Sequence, residues 1–212
     1  MNILVVGSGG REHSICWLIK KSPLLKKLYC IPGNAGINEI AICLTEENNT
    51  NESIIKICKK LSIDLVVIGP EVYLASGLAD DLLREKIRVF GPNKSASILE
   101  SSKSFTKNLC HKYNIPTAKY ETFSIKSDAE KYLKNQKFPI VIKADGLASG
   151  KGVIIAKSIN EALIAVDEIF NGKFGKSGNT IVIEEYLEGI EASFFAISDG
   201  NIIIPFTTAQ DY

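Results

Sequence analysis

Residues 1–92 alternate short apolar segments with segments of helical spacing, and this alternation restricts the fold more than any other feature of the chain. The apolar segments lie at 2–6, 27–31, 64–68 and 88–90, and each runs directly into glycine or proline. Helical spacing is found at 11–21, 53–61 and 75–85. Strands that alternate with helices predict a parallel sheet covered by helices on both faces.

From residue 93 onwards the pattern changes. Residues 94–113 have helical character, and the helix is expected to break at Ile115–Pro116. Two capping boxes, which mark helix starts, begin at Ser127 and Ser158. Strand-like segments lie within 138–156, on either side of a glycine-rich loop, and at 180–184, 192–197 and 201–206. Short strands joined by tight turns, together with two helices, predict a small α+β domain.

The glycine-rich loop of this second region carries the clearest chemical signal. Lys143 ends an apolar strand, and three glycines and Lys151 follow at once. Glycine lets the backbone approach a ligand closely, and unpaired backbone N–H groups together with lysine charge form a cradle for phosphate oxygens. The loop therefore predicts that the protein binds a nucleoside triphosphate.

This loop is not a P-loop, because that motif needs a hydroxyl residue after its lysine and here Gly152 follows Lys151. A magnesium ion is therefore expected to be held by groups outside the loop. Further along, residues 184–187 end a strand, where exposed backbone is suited to pair with the edge of an adenine ring. Glu191 is suited to accept hydrogen bonds from ribose hydroxyls.

The first glycine turn matches a dinucleotide-binding fingerprint only in part. Gly7 and Gly9 take the places of its first two glycines, but Glu12 stands where the third is expected. The acidic residue at the end of the second strand is also replaced, by residues 31–34. NAD is therefore disfavoured. A broader interpretation remains, in which a helix N-terminus and the charge of Arg11 bind an anion.

Two further polar residues, Asn34 and Glu71, lie just past strands at the same carboxyl edge of the predicted sheet. Open α/β sheets bind their ligands at this edge. The first domain is therefore predicted to hold a small phosphorylated molecule that is rich in hydroxyl groups. The alternative is a plain tight turn that carries an arginine–glutamate pair on the surface.

Charge, hydropathy, cysteine and histidine content argue against several other classes of function. The 212 residues include 25 basic and 24 acidic side chains, and the net charge of +1 gives no electrostatic reason to expect a nucleic acid or a membrane surface as partner. No apolar run approaches the roughly 20 residues that cross a bilayer. The five cysteines show no paired spacing and are interpreted as reduced thiols of a cytoplasmic protein. The two histidines are too far apart to indicate a zinc site.

Together, the segments 143–152 and 184–191 resemble the nucleotide site of the ATP-grasp superfamily. With the segments 7–13, 32–36, 69–71 and 210–211, the resemblance narrows to the phosphoribosylamine–glycine ligase family and runs along the whole chain. It implies ATP-dependent ligation of glycine to 5-phosphoribosylamine, by way of glycyl phosphate, to give glycinamide ribonucleotide, ADP and phosphate in purine biosynthesis. The implied partners are small molecules, with no nucleic acid and no membrane.

The resemblance also implies roles for individual residues. The implied phosphate contacts of ATP are Lys103 and Lys143, and the flap over the triphosphate consists of Gly146, Ser149, Gly150, Lys151 and Gly152. The implied adenine site comprises Glu184, Glu185, Tyr186 and Leu187, with Glu191 for the ribose. The implied phosphoribosylamine site comprises Gly9, Gly10, Arg11, Glu12, Asn34 and Glu71. Asp211 matches an acidic position that pairs with the ammonium of glycine, and no residue is implied as a covalent nucleophile.

The implied fold is α/β, in four parts. These are a Rossmann-like parallel-sheet substrate domain (1–92), a linker helix region (93–119), a small ATP-grasp domain with the flap (120–191) and the beginning of a large ATP-grasp domain (192–212). The family continues well beyond this length and usually has histidine in place of Tyr212. The chain is therefore expected to be the N-terminal half of the enzyme. The ligands of Mg²⁺ or Mn²⁺ are expected beyond Tyr212, and the chain alone is expected to lack ligase activity.

Two alternatives remain open at this point. One is another ATP-grasp carboxylate–amine ligase, such as a carboxylase subunit or a dipeptide ligase. The other is a module that binds a nucleotide or a phosphosugar without catalysis.

Overall fold

The fold was described from a computed structural model, which covers residues 1–45, 49–148 and 150–210, without the side chain of Lys176. The strands are β1 Asn2–Gly7, β2 Lys27–Pro32, β3 Ile42–Cys43, β4 Leu65–Ile68, β5 Arg88–Phe90, β6 Tyr120–Phe123, β7 Ile140–Ala144, β8 Val153–Ala156, β9 Ile181–Glu185, β10 Ser193–Ser198 and β11 Ile203–Ala209. The α-helices are α1 Gly10–Ile19, α2 Ala35–Asn38, α3 Asn51–Lys60, α4 Glu71–Ser76, α5 Leu78–Arg84, α6 Ile98–Ser101, α7 Lys103–Lys112, α8 Lys126–Leu133 and α9 Ile159–Glu168. A π-helical segment, Ile169–Lys173, and a 3₁₀ segment, Gly175–Asn179, follow α9.

The first sheet has the order β3-β2-β1-β4-β5, and its neighbouring strands are parallel. Strand β1 is central, with Val5 opposite both Cys30 of β2 and Val67 of β4. Successive side chains of a strand point to opposite faces, so Leu4 joins the core on one side, while Ile3 and Val5 join the core on the other. Burial on both faces explains why these strands are almost continuously apolar. The predicted parallel sheet is confirmed.

The second sheet is antiparallel, with the order β6-β9-β7-β8. Helices α8 and α9 cover one of its faces, where Ile142 of β7 and Ile183 of β9 are fully buried or nearly so. Lys143 and Glu184 each come one position later, so strand alternation places both on the opposite face. Glu184 also lies across from Val141 in the register of the two strands. The sheet itself therefore brings Lys143 and Glu184 together, and the predicted α/β fold class with its α+β second part is confirmed.

The last two strands, β10 and β11, form an antiparallel hairpin whose side chains are largely exposed. Large apolar side chains lie on its surface, with Phe194 69% exposed and Ile203 70% exposed. A two-stranded hairpin is at best marginally stable by itself. This hairpin therefore contributes little to the buried core of the described residues.

Among the described residues, no helix has the length and apolar character needed to cross a membrane.

Three helix predictions need correction. The single helix predicted over 75–85 is interrupted at Gly77, whose positive φ of 92° ends α4 before α5 begins. The helix predicted over 94–113 is interrupted at Ser102, whose extended backbone and side-chain hydroxyl cap α7 by accepting a hydrogen bond from the N–H of Phe105. The capping box at Ser127 is not formed, because α8 already begins at Lys126. The predicted cap at Ser158 is present, since its hydroxyl accepts from the N–H of Glu161.

The different burial of the second sheet and of the β10–β11 hairpin can be tested with a matched pair of substitutions. Ile142→Ala removes a fully buried side chain and is expected to lower the free energy of unfolding by about 2–5 kcal/mol. Ile203→Ala, the same chemical change on the exposed hairpin, is expected to change it by less than about 0.5 kcal/mol. Urea denaturation of both variants measures the difference, and equal losses would contradict the described packing.

Candidate functional site

Loops that follow β1 and β2 are joined at the carboxyl edge of the first sheet. The N–H of Gly33 donates to the carbonyl of Gly7 at 3.1 Å, and Nδ2 of Asn34 donates to the carbonyl of Ser8 at 2.7 Å. The other end of the same amide, Oδ1 of Asn34, accepts from the N–H of Ile37 at 2.9 Å and caps α2. Both ends of the Asn34 side chain are therefore engaged in shaping this edge.

Glu12 is the buried centre of this edge. Glu12 is only 3% exposed, and its Oε2 accepts a hydrogen bond from the N–H of Gly9 at 2.7 Å. Its Oε1 accepts from Nε of Arg11 at 3.1 Å. Two neighbouring glycines leave it room: a Cβ atom at Gly7 would lie 2.5 Å from Cγ of Glu12, and one at Gly69 would lie 2.1 Å from Oε1. Glu12 thus fixes the start of the first helix, and Gly7 and Gly69 pack closely against its side chain.

An exposed ion pair lies beside this centre. Nη1 of Arg11 donates to Oε1 of Glu71 at 2.9 Å. Their hydrogen bond is the chief reason why the pKa of Arg11 is raised and the pKa of Glu71 is lowered. Gly9 and Gly10, also exposed, begin α1 next to the pair. A helix N-terminus, an arginine and a carboxylate therefore occupy one edge, as the sequence predicts for an anionic ligand with hydroxyl groups.

The second set of charges begins at the N-terminus of α7. Nζ of Lys103 donates to the carbonyl of Gly146 at 3.0 Å and lies 3.4 Å from that of Asp145. The Asp145 carboxylate in turn accepts from the N–H of Ser104 at 2.6 Å. These bonds attach the helix to the start of the glycine-rich loop. Burial is the main cause that lowers the pKa of Lys103, and the nearby charge of Lys143 adds to it.

A carboxylate shared by two lysines lies next to Lys103. Oε2 of Glu184 lies 2.8 Å from Nζ of Lys143 and 3.3 Å from Nζ of Lys107. Glu184 is 5% exposed, and among the described residues its Oε1 is a buried acceptor with no hydrogen-bond partner. Removing one partner of a buried ion pair leaves an uncompensated charge, so the three side chains depend on one another. The cluster of Lys107, Lys143 and Glu184 is called the lysine–glutamate cluster below.

The glycine-rich loop connects β7 to β8 and is fastened at its ends. The N–H of Ala144 donates to the carbonyl of Gly152 at 2.8 Å, and the N–H of Gly146 donates to that of Ser177 at 3.3 Å. A Cβ atom at Gly146 would lie 2.7 Å from Oγ of Ser177, so glycine is needed for this close approach. Lys151 lies exposed within the loop.

Two cavities adjoin each other at Glu100 and Lys103. The first, about 310 Å³, is lined by Glu71, Glu100, Lys103, Leu147, Ala148, Gly150, Gly152 and Val153. The second, about 220 Å³, is lined by Leu99, Glu100, Lys103, Thr106, Lys107, Thr117, Lys143 and Glu184. The first cavity therefore brings Glu71 of the first domain to the loop of the second. Lys103 borders both cavities.

The segment predicted to bind adenine consists of the last two residues of β9 and the two that follow it. Its Glu185 exchanges backbone and side-chain contacts with Lys119: the N–H of Glu185 donates to the carbonyl of Lys119 at 2.9 Å, and Oε1 accepts from the N–H of Lys119 at 2.8 Å. Tyr186, Leu187 and Glu191 are exposed. A further cavity, about 500 Å³, is lined in part by residues 183–186. The exposed Tyr186 therefore borders a cavity at the end of the strand.

Two of the predicted site residues, Ser149 and Asp211, lie outside the described residues. Within residues 1–45, 49–148 and 150–210, no group of three or more His, Cys, Asp or Glu side chains is placed to hold a metal ion. The five cysteines are free thiols, and burial raises the pKa of Cys58 to about 12.

Sequence reasoning missed two residues of the site, Lys107 and Asp145. Lys107 follows Lys103 by one helical turn, so the two lysines share a face of α7, and this spacing was the available signal. Asp145 is part of the glycine-rich loop, yet its contact with the N-terminus of α7 depends on tertiary packing. No local pattern predicts that contact.

Two family models match the chain. The model described as Phosphoribosylglycinamide synthetase, N domain, matches residues 1–100, and the model described as Phosphoribosylglycinamide synthetase, ATP-grasp (A) domain, matches residues 101–212. Phosphoribosylamine–glycine ligase from Mesorhizobium japonicum is 51% identical over 212 residues, which are 100% of this chain and 50% of that protein. The protein named phosphoribosylamine–glycine ligase, chloroplastic, from Arabidopsis thaliana is 52% identical and covers 95% of this chain and 39% of its own length. The chain thus spans about half the length of the Mesorhizobium relative.

Solved structures agree with this. The crystal structure of phosphoribosylamine–glycine ligase from Thermotoga maritima has a TM-score of 0.81 at 32% identity and covers 100% of this chain and 50% of that one. The biotin carboxylase domain of 2-oxoglutarate carboxylase from Hydrogenobacter thermophilus has a TM-score of 0.77 at 18% identity, with 98% and 49% covered. The second likeness concerns the fold alone.

The close packing around Glu12, at the carboxyl edge of the first sheet, can be tested by substitution. Gly69→Ala places a methyl group against the buried carboxylate and is expected to lower the free energy of unfolding by about 1–3 kcal/mol. Gly10→Ala is the matched control, since nothing lies within 4 Å of the added Cβ, and its stability is expected to stay equal or rise by up to about 1 kcal/mol. Thermal or chemical denaturation measures both, and a Gly69→Ala variant as stable as the control would refute this role of Glu12.

Proposed function

This chain belongs to the phosphoribosylglycinamide synthetase family, and we propose that it forms the nucleotide-binding and phosphoribosylamine-binding part of an ATP-dependent carbon–nitrogen ligase. The reaction joins glycine to 5-phosphoribosylamine and yields glycinamide ribonucleotide, ADP and phosphate, a step of purine biosynthesis. Its relatives from Mesorhizobium and Thermotoga carry the name of this activity.

One observation carries the proposal: Glu71 and Lys103 line the same cavity of about 310 Å³. Glu71 belongs to the edge proposed to hold the amine substrate, and Lys103 belongs to the charges proposed to hold the triphosphate. A ligase must bring an amine to a carboxyl group that ATP has activated. A cavity shared by both sites supports that meeting, whereas a module that only binds a nucleotide has no need of it.

The proposed chemistry has two steps. A carboxylate oxygen of glycine attacks the γ-phosphorus of ATP, the bond from phosphorus to the ADP oxygen breaks, and glycyl phosphate forms. The amine of phosphoribosylamine then attacks the carbonyl carbon, the carbon–oxygen bond to phosphate breaks, and the nitrogen loses a proton. No covalent intermediate with the protein is needed. The protein contributes by positioning the reactants and by neutralising the phosphate charge.

In this proposal Lys103 and Lys143 contact the phosphates, and the loop of Gly146, Gly150, Lys151 and Gly152, with Ser149, covers them. Exclusion of water by such a cover protects an acyl phosphate from hydrolysis. Glu184, Glu185, Tyr186 and Leu187 bind the adenine, and Glu191 binds the ribose. Gly9, Gly10, Arg11 and Glu71 bind phosphoribosylamine, Glu12 and Asn34 shape that edge, and Asp211 pairs with the ammonium of glycine.

The family resemblance also implies Mg²⁺ or Mn²⁺, which would neutralise charge on the transferred phosphoryl group. The described residues offer no cluster of ligands for such an ion, so none of the steps above is assigned to a metal held by them. The cytoplasmic location predicted from the cysteines stays a proposal, and the Arabidopsis relative is named as chloroplastic.

The nucleotide site can be tested by calorimetric titration of the 212-residue chain with ATP. Lys143→Met removes a charge-assisted contact, commonly about 1.5–3 kcal/mol, and is expected to weaken binding by roughly 10- to 100-fold. Lys60→Met, an exposed lysine of α3, serves as the control and is expected to bind as the unaltered chain does. Absence of saturable ATP binding by the unaltered chain would refute the proposed nucleotide site.

The reaction itself leaves an isotopic trace. Glycine labelled with ¹⁸O in both carboxylate oxygens is expected to transfer one ¹⁸O atom to the released phosphate, because that oxygen bridges carbon and phosphorus in glycyl phosphate. Mass spectrometry of the phosphate, made by the protein at its native length, provides the measurement. Unlabelled phosphate released together with glycinamide ribonucleotide would exclude the acyl phosphate.

The lowered pKa of Lys103 predicts how nucleotide binding depends on pH. Its lowered pKa means that the ammonium loses its proton at a lower pH than an ordinary lysine, whose pKa is about 10.4. The charged form binds phosphate, so ATP affinity is expected to be full near neutral pH, where ATP keeps its charge, and to fall as the pH rises through this lowered pKa. Lys103→Arg stays charged in this range and is expected to flatten the profile. Identical profiles for the two proteins would show that Lys103 does not control binding.

A further inference from the structure

Lys107 is more enclosed than Lys143, and its recorded polar contacts are with the protein. Its Nζ lies 2.7 Å from Oγ1 of Thr117, 3.3 Å from the carbonyl of Ala118 and 3.3 Å from Oε2 of Glu184. An ammonium group has three N–H donors, and three acceptors surround this one. The Lys107 side chain is 11% exposed, against 25% for Lys143. Two of its N–H groups therefore donate to protein oxygens, and its charge pairs with that of Glu184.

The charge of the lysine–glutamate cluster shows what Lys107 contributes. Two lysines and one carboxylate give the cluster a net charge of +1. Without Lys107, Lys143 and Glu184 would form a neutral pair at 2.8 Å. Lys103 and Glu100, which also line the adjoining cavity of about 220 Å³, offset each other, so the charges around an anion there would cancel. Charges act strongly on each other in such a poorly solvated site. The net charge of the cluster therefore depends on Lys107.

We propose that Lys107 is a positioning residue that balances the charge of Glu184, so that the charge of Lys143 is available to the phosphates of the nucleotide. The inference rests on the proposed nucleotide site and adds a residue to it. It also gives a reason why a buried glutamate can stand beside a phosphate site: the second lysine offsets the repulsion that its carboxylate would otherwise exert on an anion.

Inorganic tripolyphosphate is the appropriate probe, because it carries the phosphates of ATP without the base and so does not depend on contacts of Glu184 with adenine. Lys107→Gln keeps hydrogen-bonding atoms but removes the charge, and is expected to weaken tripolyphosphate binding roughly tenfold or more. Lys112→Met changes an exposed lysine of the same helix and is expected to leave binding unchanged.

The double variant Lys107→Gln with Glu184→Gln separates a charge effect from a structural one. It restores the net charge of +1, carried by Lys143, and is expected to bind tripolyphosphate within about threefold of the unaltered chain, a strong non-additivity between neighbouring sites. Glu184→Gln alone is expected to bind at least as well as the unaltered chain. A purely structural role of Lys107 predicts no such rescue.

The outcomes distinguish this inference from the nucleotide site on which it rests. If the unaltered chain binds neither ATP nor tripolyphosphate, the site itself is refuted, and the role of Lys107 with it. If that chain binds both and Lys107→Gln binds equally well, or the double variant stays as weak as the single one, only the role of Lys107 is refuted. Circular dichroism checks each variant, and failure of both Lys107→Gln and Lys107→Met to fold would assign Lys107 to stability and overturn the proposal.

Discussion

The buried carboxylate of Glu12 is the contact on which the carboxyl edge of the first sheet depends. It accepts hydrogen bonds from Gly9 and Arg11, and thereby sets where α1 begins and where the guanidinium of Arg11 lies. Buried carboxylates are costly unless they are paired and hydrogen-bonded, and here the partners are themselves parts of the site. The same bonds that stabilise the fold therefore orient the groups that face the ligand.

In the second part of the chain, the alternation of side chains along the strands orients the charged groups of the site. The apolar side chains of β7 and β9 face α8 and α9, which leaves Lys143 and Glu184 on the open face. Helix α7 then adds Lys103 and Lys107 to this face from its first two turns. Three lysines and a glutamate meet there because three elements that are distant in the sequence, α7, β7 and β9, contribute side chains to one face.

Sequence patterns predicted the features that depend on local order. The parallel sheet followed from alternating strands and helices, and the position of the glycine-rich loop followed from Lys143 and its glycines. The breaks at Gly77 and Ser102 were missed, because helical spacing continues across both positions while the backbone does not. The role of Lys107 was missed for another reason: its partners Thr117 and Glu184 are brought to it only by tertiary packing.

Lys103 borders both the cavity that contains Glu71 and the cavity that contains Glu184. In the proposed reaction the glycine carboxylate and the triphosphate are both anions, and they repel each other more strongly the closer they come. In this proposal the Lys103 ammonium, which borders both cavities, reduces that repulsion, and its effect grows as the reacting oxygen and phosphorus approach. An interaction that strengthens along the reaction path lowers the barrier, and does so more than one that binds each reactant equally well at every distance.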